Sequence, residues 1–442
     1  MARERVRSVL RIMATTCLCL VLVSFFSVQM RYNAALVGLL PVPQANAYEP
    51  GEGEQRMAPG SRATVLASYC SEVVASSDPQ NPSGLTSTAL TFDDSWFAHD
   101  SRTYNHELAT ACAVLSAIVN SESQFYGSVA GSVPYAEKTL GALGFENIRT
   151  ESFALRSHVL DQIGALFAGS HDVAAYAFAS KTLPGQNGSP DQTLIFVGVR
   201  GSYGIEWLSN FKMVGEGESA EGRDHQGFKM AEAEVMESLQ GYAKEIGADP
   251  EHTKILVSGH SRGGAVANLL AADLDNASGT ERALAPAQGV FAYTFASPSS
   301  TQCADRDNAL YGNIFNVANA SDIVPTLPSL SWGFGRYGTT VSLPDVTCAD
   351  FSPLYEGMQQ AFRTNTGFDN PCATADLEKL DEFGAEVAEA IPSLDSLMSP
   401  IGVVNAVQTV SQLDLASTLS SHYPDTYIAW MQSIDSDDLT FS

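Results

Sequence analysis

The chain has 442 residues, of which 45% are hydrophobic, and its 24 Lys and Arg against 50 Asp and Glu give a formal charge of −26. This length and composition suit one large globular domain or two modest ones. So acidic a surface repels nucleic acid and anionic membranes, and the charge therefore excludes nucleic-acid binding.

The N-terminus has the pattern of an export signal. Four arginines lie within residues 1–11, an apolar stretch covers residues 12–30, and the small-residue site "ANA" ends at Ala47. This pattern predicts a signal peptide over residues 1–47, cleaved after Ala47, and hence a secreted or cell-surface protein. An uncleaved membrane anchor is the alternative, because the apolar stretch is nearly long enough to cross a bilayer.

The next segment, residues 48–89, is rich in Ser, Pro, Gly and Asn, and this composition predicts a linker or a loosely docked N-terminal arm. Residues 90–442 are expected to form the main domain. Within it, residues 104–119 have helical spacing, while residues 173–180 and 193–199 have the pattern of strands.

Strand and helix then keep alternating. A helix is predicted over residues 225–246, a strand over 255–257 and a helix over 265–274, followed by the strand-like runs "GVFAYTFAS" and "NIFNVANA". This alternation predicts an α/β fold with a mainly parallel sheet and helices on both faces. Residues 349–415 break the rhythm and are expected to form a mostly helical insertion over one edge of the sheet or the mouth of the site.

The stretch "GHSRG" places Ser261 between Gly259 and Gly263, directly after a buried strand and before an Ala-rich helix. A serine in a strained turn between strand and helix is typical of a nucleophile elbow, in which the flanking glycines leave room for neighbouring backbones. The pattern G-x-S-x-G is weak on its own, and a glycine-rich turn without catalytic function is the alternative.

A hydroxyl nucleophile needs a base and an acid that orients the base. Folds with this elbow place them after the serine in the order acid, then histidine. Of the eight histidines, only His422 follows Ser261, although a lone surface histidine is the alternative interpretation. Asp322 follows the strand "NIFNV" and is the expected acid, whereas Asp305 and Asp307 lie in a polar loop.

Five stretches carry a resemblance to a known family. They are "FVGVRGS" (196–202), "HQGF" (225–228), "ILVSGHSRGGAVANLLA" (255–271), "NVANASDIVPTLP" (316–328) and "HYPDTYI" (422–428). In this order they resemble the fungal-type (class 3) triacylglycerol lipases of the α/β-hydrolase fold. The resemblance extends over residues 90–345 and 418–430.

The resemblance implies a role for each motif position. Ser261 corresponds to the nucleophile, His422 to the base and Asp322 to the residue that orients it. The oxyanion would be held by Ser202 and by the backbone N–H of Arg262, whose side chain is larger than the family usually has there. Such an enzyme hydrolyses carboxylic esters through an acyl-enzyme and needs no metal or organic cofactor.

The segment "YGIEWLSNF" after Ser202 has an apolar side. In the resembled family this segment forms a lid, while a helical turn packed in the core is the other interpretation. The candidate lid residues are Ile205, Trp207, Leu208 and Phe211.

Substrate choice stays open at this level. The expected substrate is an acylglycerol or another lipid ester, met at a lipid–water interface. A carboxylesterase, a phospholipase A1 and an acyltransferase would share the same elbow. An inactive surface binding protein is the alternative outside the enzymes, and it predicts that one member of the triad is missing.

Export allows disulfides, and the polar setting of Cys348 and Cys372 predicts that they pair, with Cys303 as the alternative partner of either. Cys112 lies in an apolar helical stretch and is expected to be a buried thiol.

Overall fold

The computed structural model describes seven segments of the chain. They are residues 56–128, 134–151, 174–185, 188–201, 224–326, 333–372 and 420–442. Within these segments, no helix combines the length and the apolar character that a membrane span requires.

A mixed sheet of eight strands forms the centre of the molecule. The described strands, including a separate N-terminal pair, are β1 (Arg62–Cys70), β2 (Leu85–Asp93), β3 (Glu146–Glu151), β4 (Tyr176–Leu183), β5 (Gln192–Val199), β6 (Thr253–His260), β7 (Val290–Phe295), β8 (Ile314–Ala318), β9 (Thr339–Ser342) and β10 (Thr440–Phe441). The central sheet runs from β3 to β10 in chain order. Strands β5 to β9 are parallel, whereas β3, β4 and β10 pair antiparallel at the two edges.

Helices cover both faces of this sheet. Those described are α1 (Glu72–Ser77), α2 (His106–Ser128), α3 (Tyr135–Ala142), α4 (Gln226–Glu245), α5 (Arg262–Ala277), α6 (Phe351–Thr366) and α7 (Pro424–Ser433). Side chains of one strand alternate between the faces, so Leu256 packs towards α2 and α7, while Ile255 and Val257 pack towards α4 and α5. The expected α/β class with a mainly parallel sheet is confirmed.

The prediction of a linker over residues 48–89 is wrong from residue 56 onwards. Strands β1 and β2 pair antiparallel along their whole length, and Tyr69, Leu90 and Phe92 are buried in the main core. Alternate positions of β1 are apolar, as are Leu90 and Phe92 of β2, so one face of the pair packs inwards. The turn at residues 78–84 contains a dense cluster of the residue types that suggested a linker, with two Pro, one Asn, one Ser and one Gly.

A buried ion pair joins this N-terminal pair of strands to the central sheet. The Lys181 Nζ lies 2.8 Å from Asp94 Oδ1, and both side chains are almost fully buried. The ammonium also donates to the Leu143 carbonyl at 2.7 Å and lies over the rings of Phe92 and Phe145. Burial raises the pKa of Asp94 and lowers that of Lys181. In each case the hydrogen bond and the charge of the partner shift the pKa in the opposite direction. The charged form of each side chain is therefore stabilised by the presence of the other.

The described part of the expected insertion belongs to the core. In α6, Phe351, Met358 and Phe362 are buried, and Phe351 contacts Trp430 of α7. This helix is amphipathic and packs against α7, so it covers a face of the domain. The rest of the insertion, residues 373–415, lies outside the described residues.

The expected disulfide between Cys348 and Cys372 is not formed, and both residues are thiols. The sulfur of Cys348 faces the carboxylate of Asp345, while the sulfur of Cys372 is buried and accepts a hydrogen bond from the Ser421 hydroxyl at 3.1 Å. The two sulfurs therefore contact different residues, Asp345 and Ser421. Cys112 is a fully buried thiol, as expected.

Candidate active site

Ser261 occupies a strained turn between strand β6 and helix α5. Its backbone has φ 58° and ψ −132°, a conformation that costs free energy for a residue with a side chain. The Ser261 N–H donates to the Phe295 carbonyl at the end of β7, at 2.9 Å. The turn therefore holds the Ser261 hydroxyl at the carboxyl edge of the sheet.

The two glycines of the elbow lie where a side chain would collide with backbone. A Cβ on Gly259 would approach the Gly263 carbonyl oxygen to 2.4 Å, and one on Gly263 would approach the Val199 carbonyl oxygen to 2.3 Å. The first turn of α5 thus packs directly against the end of β5. A larger residue at Gly263 would push α5 away from β5, and a larger residue at Gly259 would push α5 away from β6.

The structure brings Ser261, Asp322 and His422 together, although they come from distant parts of the sequence. The His422 Nε2 lies 2.9 Å from the Ser261 Oγ, and its Nδ1 lies 2.8 Å from Asp322 Oδ2. A carboxylate only accepts hydrogen bonds, so the proton of the neutral ring is on Nδ1. The Nε2 is then an acceptor for the Ser261 hydroxyl, as the base of a serine nucleophile must be.

The Asp322 carboxylate is fully buried and has three donors. Besides His422, the Tyr427 hydroxyl donates to Oδ2 at 2.8 Å and the Val324 N–H donates to Oδ1 at 2.9 Å. These three donors fix the orientation of the carboxylate towards His422. Tyr427 also accepts from the Asn319 N–H at 3.1 Å, so the turn after β8 is held to helix α7.

Arg336 is a partly buried cation beside this carboxylate. Its Nη1 donates to the carbonyls of Ser297 and Pro325, at 3.0 and 2.8 Å. Burial lowers the pKa of Arg336 to about 10, while Tyr427 and Asp322 act in the opposite direction. The guanidinium remains charged at neutral pH and links the ends of β7 and of the Asp322 turn.

His260, the residue before Ser261, contacts the backbone of His422. Its Nε2 lies 2.8 Å from the His422 carbonyl oxygen, and the two imidazole centroids are 5.0 Å apart. Burial, with a further contribution from His422, lowers the pKa of His260 well below its usual value. His260 is therefore neutral at physiological pH.

Several predicted positions lie outside the described residues or contribute only backbone. Arg262 is the first residue of α5, so its N–H points out of the helix N-terminus beside Ser261. Within the described part of the chain, no group of three His, Cys, Asp or Glu is arranged to hold a metal ion. The positions outside the described residues are Ser202, Ile205, Trp207, Leu208 and Phe211.

Three residues of this site were missed by the sequence analysis. His260 lies inside the elbow motif and Tyr427 inside the stretch "HYPDTYI", so proximity to a motif was the available signal for both. Arg336 carries no such signal, because its contacts join segments that are distant in the sequence.

Part of the chain matches the model of a known protein family. Residues 196–332 match the family model described as Lipase (class 3). A search of curated proteins gave no match.

Several solved structures are similar to parts of the chain. A triacylglycerol lipase whose catalytic centre is described as a serine protease triad has 21% identity over 55% of this chain and 83% of its own, with a TM-score of 0.38. The Rhizomucor miehei triacylglyceride lipase has 24% identity over 39% and 63%, with a TM-score of 0.30. A lipase from Rhizopus microsporus var. chinensis has 19% identity over 38% and 57%, with a TM-score of 0.29. The chain spans less than two thirds of the last two.

The segment that matches the family model contains Ser261 and Asp322, and it ends before His422. Over residues 196–332, this chain is therefore similar to the class 3 lipase family.

Proposed function

We propose that the chain is an exported lipase-type esterase in which Ser261 is the nucleophile, His422 the general base and Asp322 the residue that orients the base. The pair of contacts at His422, 2.9 Å to Ser261 and 2.8 Å to Asp322, supports this proposal most strongly. The two alternatives, a surface histidine and an inactive binding protein, do not require these three buried side chains to be hydrogen-bonded to one another.

The reaction follows from the proton positions. The His422 Nε2 takes the proton of the Ser261 hydroxyl while the oxygen attacks the ester carbonyl. The protonated ring then gives the proton to the departing alcohol, leaving an acyl group on Ser261. Water attacks this acyl-enzyme with His422 again as the base, and the fatty acid is released.

The negative charge on the carbonyl oxygen needs donors that are already in place. The N–H of Arg262 is proposed as one, because it lies at the positive end of helix α5. Ser202 is proposed as the other, from its position in the family motif. Loss of one such donor costs about 3–4 kcal/mol of transition-state stabilisation.

Asp322→Asn tests the role of the acid. We expect kcat for a soluble ester to fall by up to about 10⁴-fold, because an amide favours the wrong tautomer of His422. Asp305→Asn is the matched control, since Asp305 is exposed and has the same side chain. If the Asp305 variant were the impaired one, the acid would be misassigned.

The substrate is proposed to be an acylglycerol at a lipid–water interface. The purified protein would be titrated with a fluorophosphonate probe and then assayed on p-nitrophenyl esters of two to sixteen carbons, emulsified triglyceride and phospholipid. Release of fatty acid from triglyceride emulsion is the expected result. Hydrolysis confined to short soluble esters would indicate a carboxylesterase, and preference for phospholipid a phospholipase A1. A folded protein that neither labels nor hydrolyses would contradict the proposed function.

A further inference from the structure

A chain of three hydrogen bonds connects the end of strand β5 to the backbone of His422. The Gly201 N–H donates to Asn120 Oδ1 at 2.8 Å, the Asn120 Nδ2 lies 3.4 Å from His260 Nδ1, and the His260 Nε2 lies 2.8 Å from the His422 carbonyl oxygen. These four residues are called the His260 relay below.

The direction of every bond in the His260 relay is fixed by its two ends. The Gly201 N–H only donates, so Asn120 must present its oxygen to Gly201 and its amino group to His260. The His422 carbonyl only accepts, so the proton of His260 is on Nε2. The Nδ1 of His260 is then an acceptor and faces the Asn120 amino group. Donors and acceptors match at all three contacts.

The relay requires a neutral His260 with one tautomer. The His260 ring is 3% exposed. Burial, with a further contribution from the neighbouring His422, lowers the pKa of His260 and so disfavours its protonated form. His260 therefore has a single ring proton, and the His422 carbonyl places it on Nε2.

The relay reaches both halves of the proposed reaction centre. Its far end is the backbone of His422, whose ring is held separately by Asp322. Its near end is Gly201, the residue before Ser202 and against the elbow, where a Cβ would lie 2.7 Å from the His260 carbonyl oxygen. Asn120 is on helix α2, far in sequence from the motifs of the lipase family.

We infer that Asn120 and His260 are positioning residues that hold the backbone of His422 at the distance from Ser261 that proton transfer requires. This inference rests on the proposed function. A ring shifted along its own plane would still contact Asp322 but would lose the alignment with the serine oxygen, and small displacements of this kind reduce turnover strongly.

Two substitutions of His260 separate positioning from packing. His260→Gln can place an amide N–H near the position of Nε2 and still donate to the His422 carbonyl, whereas His260→Asn can reach only the position of Nδ1. We expect kcat to stay within about tenfold of the wild type in His260→Gln and to fall about 10²-fold in His260→Asn, with KM little changed. A purely structural role would affect both variants equally and through the folded fraction alone.

Asn120→Asp tests the same relay without touching His260. It keeps an acceptor for Gly201 and the shape of the side chain, but it removes the N–H that faces His260. The carboxylate also favours a proton on Nδ1, which leaves the His422 carbonyl without its donor. We expect kcat to fall about tenfold or more.

Ser116→Ala is the matched control. Ser116 is one turn before Asn120 on helix α2, and its hydroxyl lies 2.8 Å from that of Ser258 on β6, so the variant removes a buried contact between the same two elements. We expect a lower melting temperature with unchanged kcat. Equal kcat values for His260→Gln and His260→Asn, or wild-type kcat in Asn120→Asp, would overturn the inference. If the Ser261→Ala variant kept the activity of the wild type, that result would instead contradict the proposed function.

Discussion

Ser261→Ala is expected to lower kcat for ester hydrolysis by at least about 10³-fold, because it removes the atom that forms the acyl-enzyme. The fold should be preserved. Alanine keeps the β-carbon of serine, so the strain at φ 58° is unchanged, and the side chain lost is small. The measurement is kcat on soluble p-nitrophenyl butyrate, together with a thermal melt.

Ser278→Ala is the control for this substitution, because Ser278 follows the opposite end of the same helix, α5. It should retain full activity and labelling by fluorophosphonate. Full turnover by a folded Ser261→Ala protein would contradict the assignment of the nucleophile.

Lys181→Met is expected to cause the largest loss of stability, about 3–5 kcal/mol in the free energy of unfolding. It leaves the carboxylate of Asp94 buried without its cation, while only the Gly60 N–H at 2.7 Å remains to stabilise it. Urea unfolding followed by tryptophan fluorescence measures the effect.

Two comparisons identify the cause of that loss. The double variant Lys181→Met with Asp94→Leu should regain at least half of the lost stability, because the uncompensated charge is gone. Lys254→Met, at a partly buried lysine whose Nζ lies over the Phe291 ring, should change stability by less than about 1 kcal/mol. Equal losses at Lys181 and Lys254 would mean that the ion pair is not the cause.

Local patterns predicted much of the fold and the elbow. The strand before Ser261 and the helix after it are encoded by neighbouring residues, because a buried strand and an Ala-rich helix have distinct periodicities. Chain order then selected His422, the position after a buried strand selected Asp322, and the structure brings these two residues into contact. Here the parallel order of β6, β7 and β8 places their carboxyl ends side by side.

The features that were missed depend on contacts between distant segments. Composition alone suggested a linker where β1 and β2 form, because the turn residues between them outweighed the alternation within each strand. The polar setting of Cys348 and Cys372 gave no information on which way each sulfur points. Asn120 has no local signal at all, since its role in the His260 relay arises only when α2 packs beside β6.

The separation of 161 residues between Ser261 and His422 has a consequence for the order of synthesis. Ribosomes add about 5–20 residues per second, so the proposed nucleophile is made roughly 8–32 s before its base. During that interval the serine has no partner to take its proton. Under the proposed mechanism, a nascent chain that ends before His422 therefore cannot hydrolyse an ester, and activity begins only when the segment around His422 has docked against the sheet.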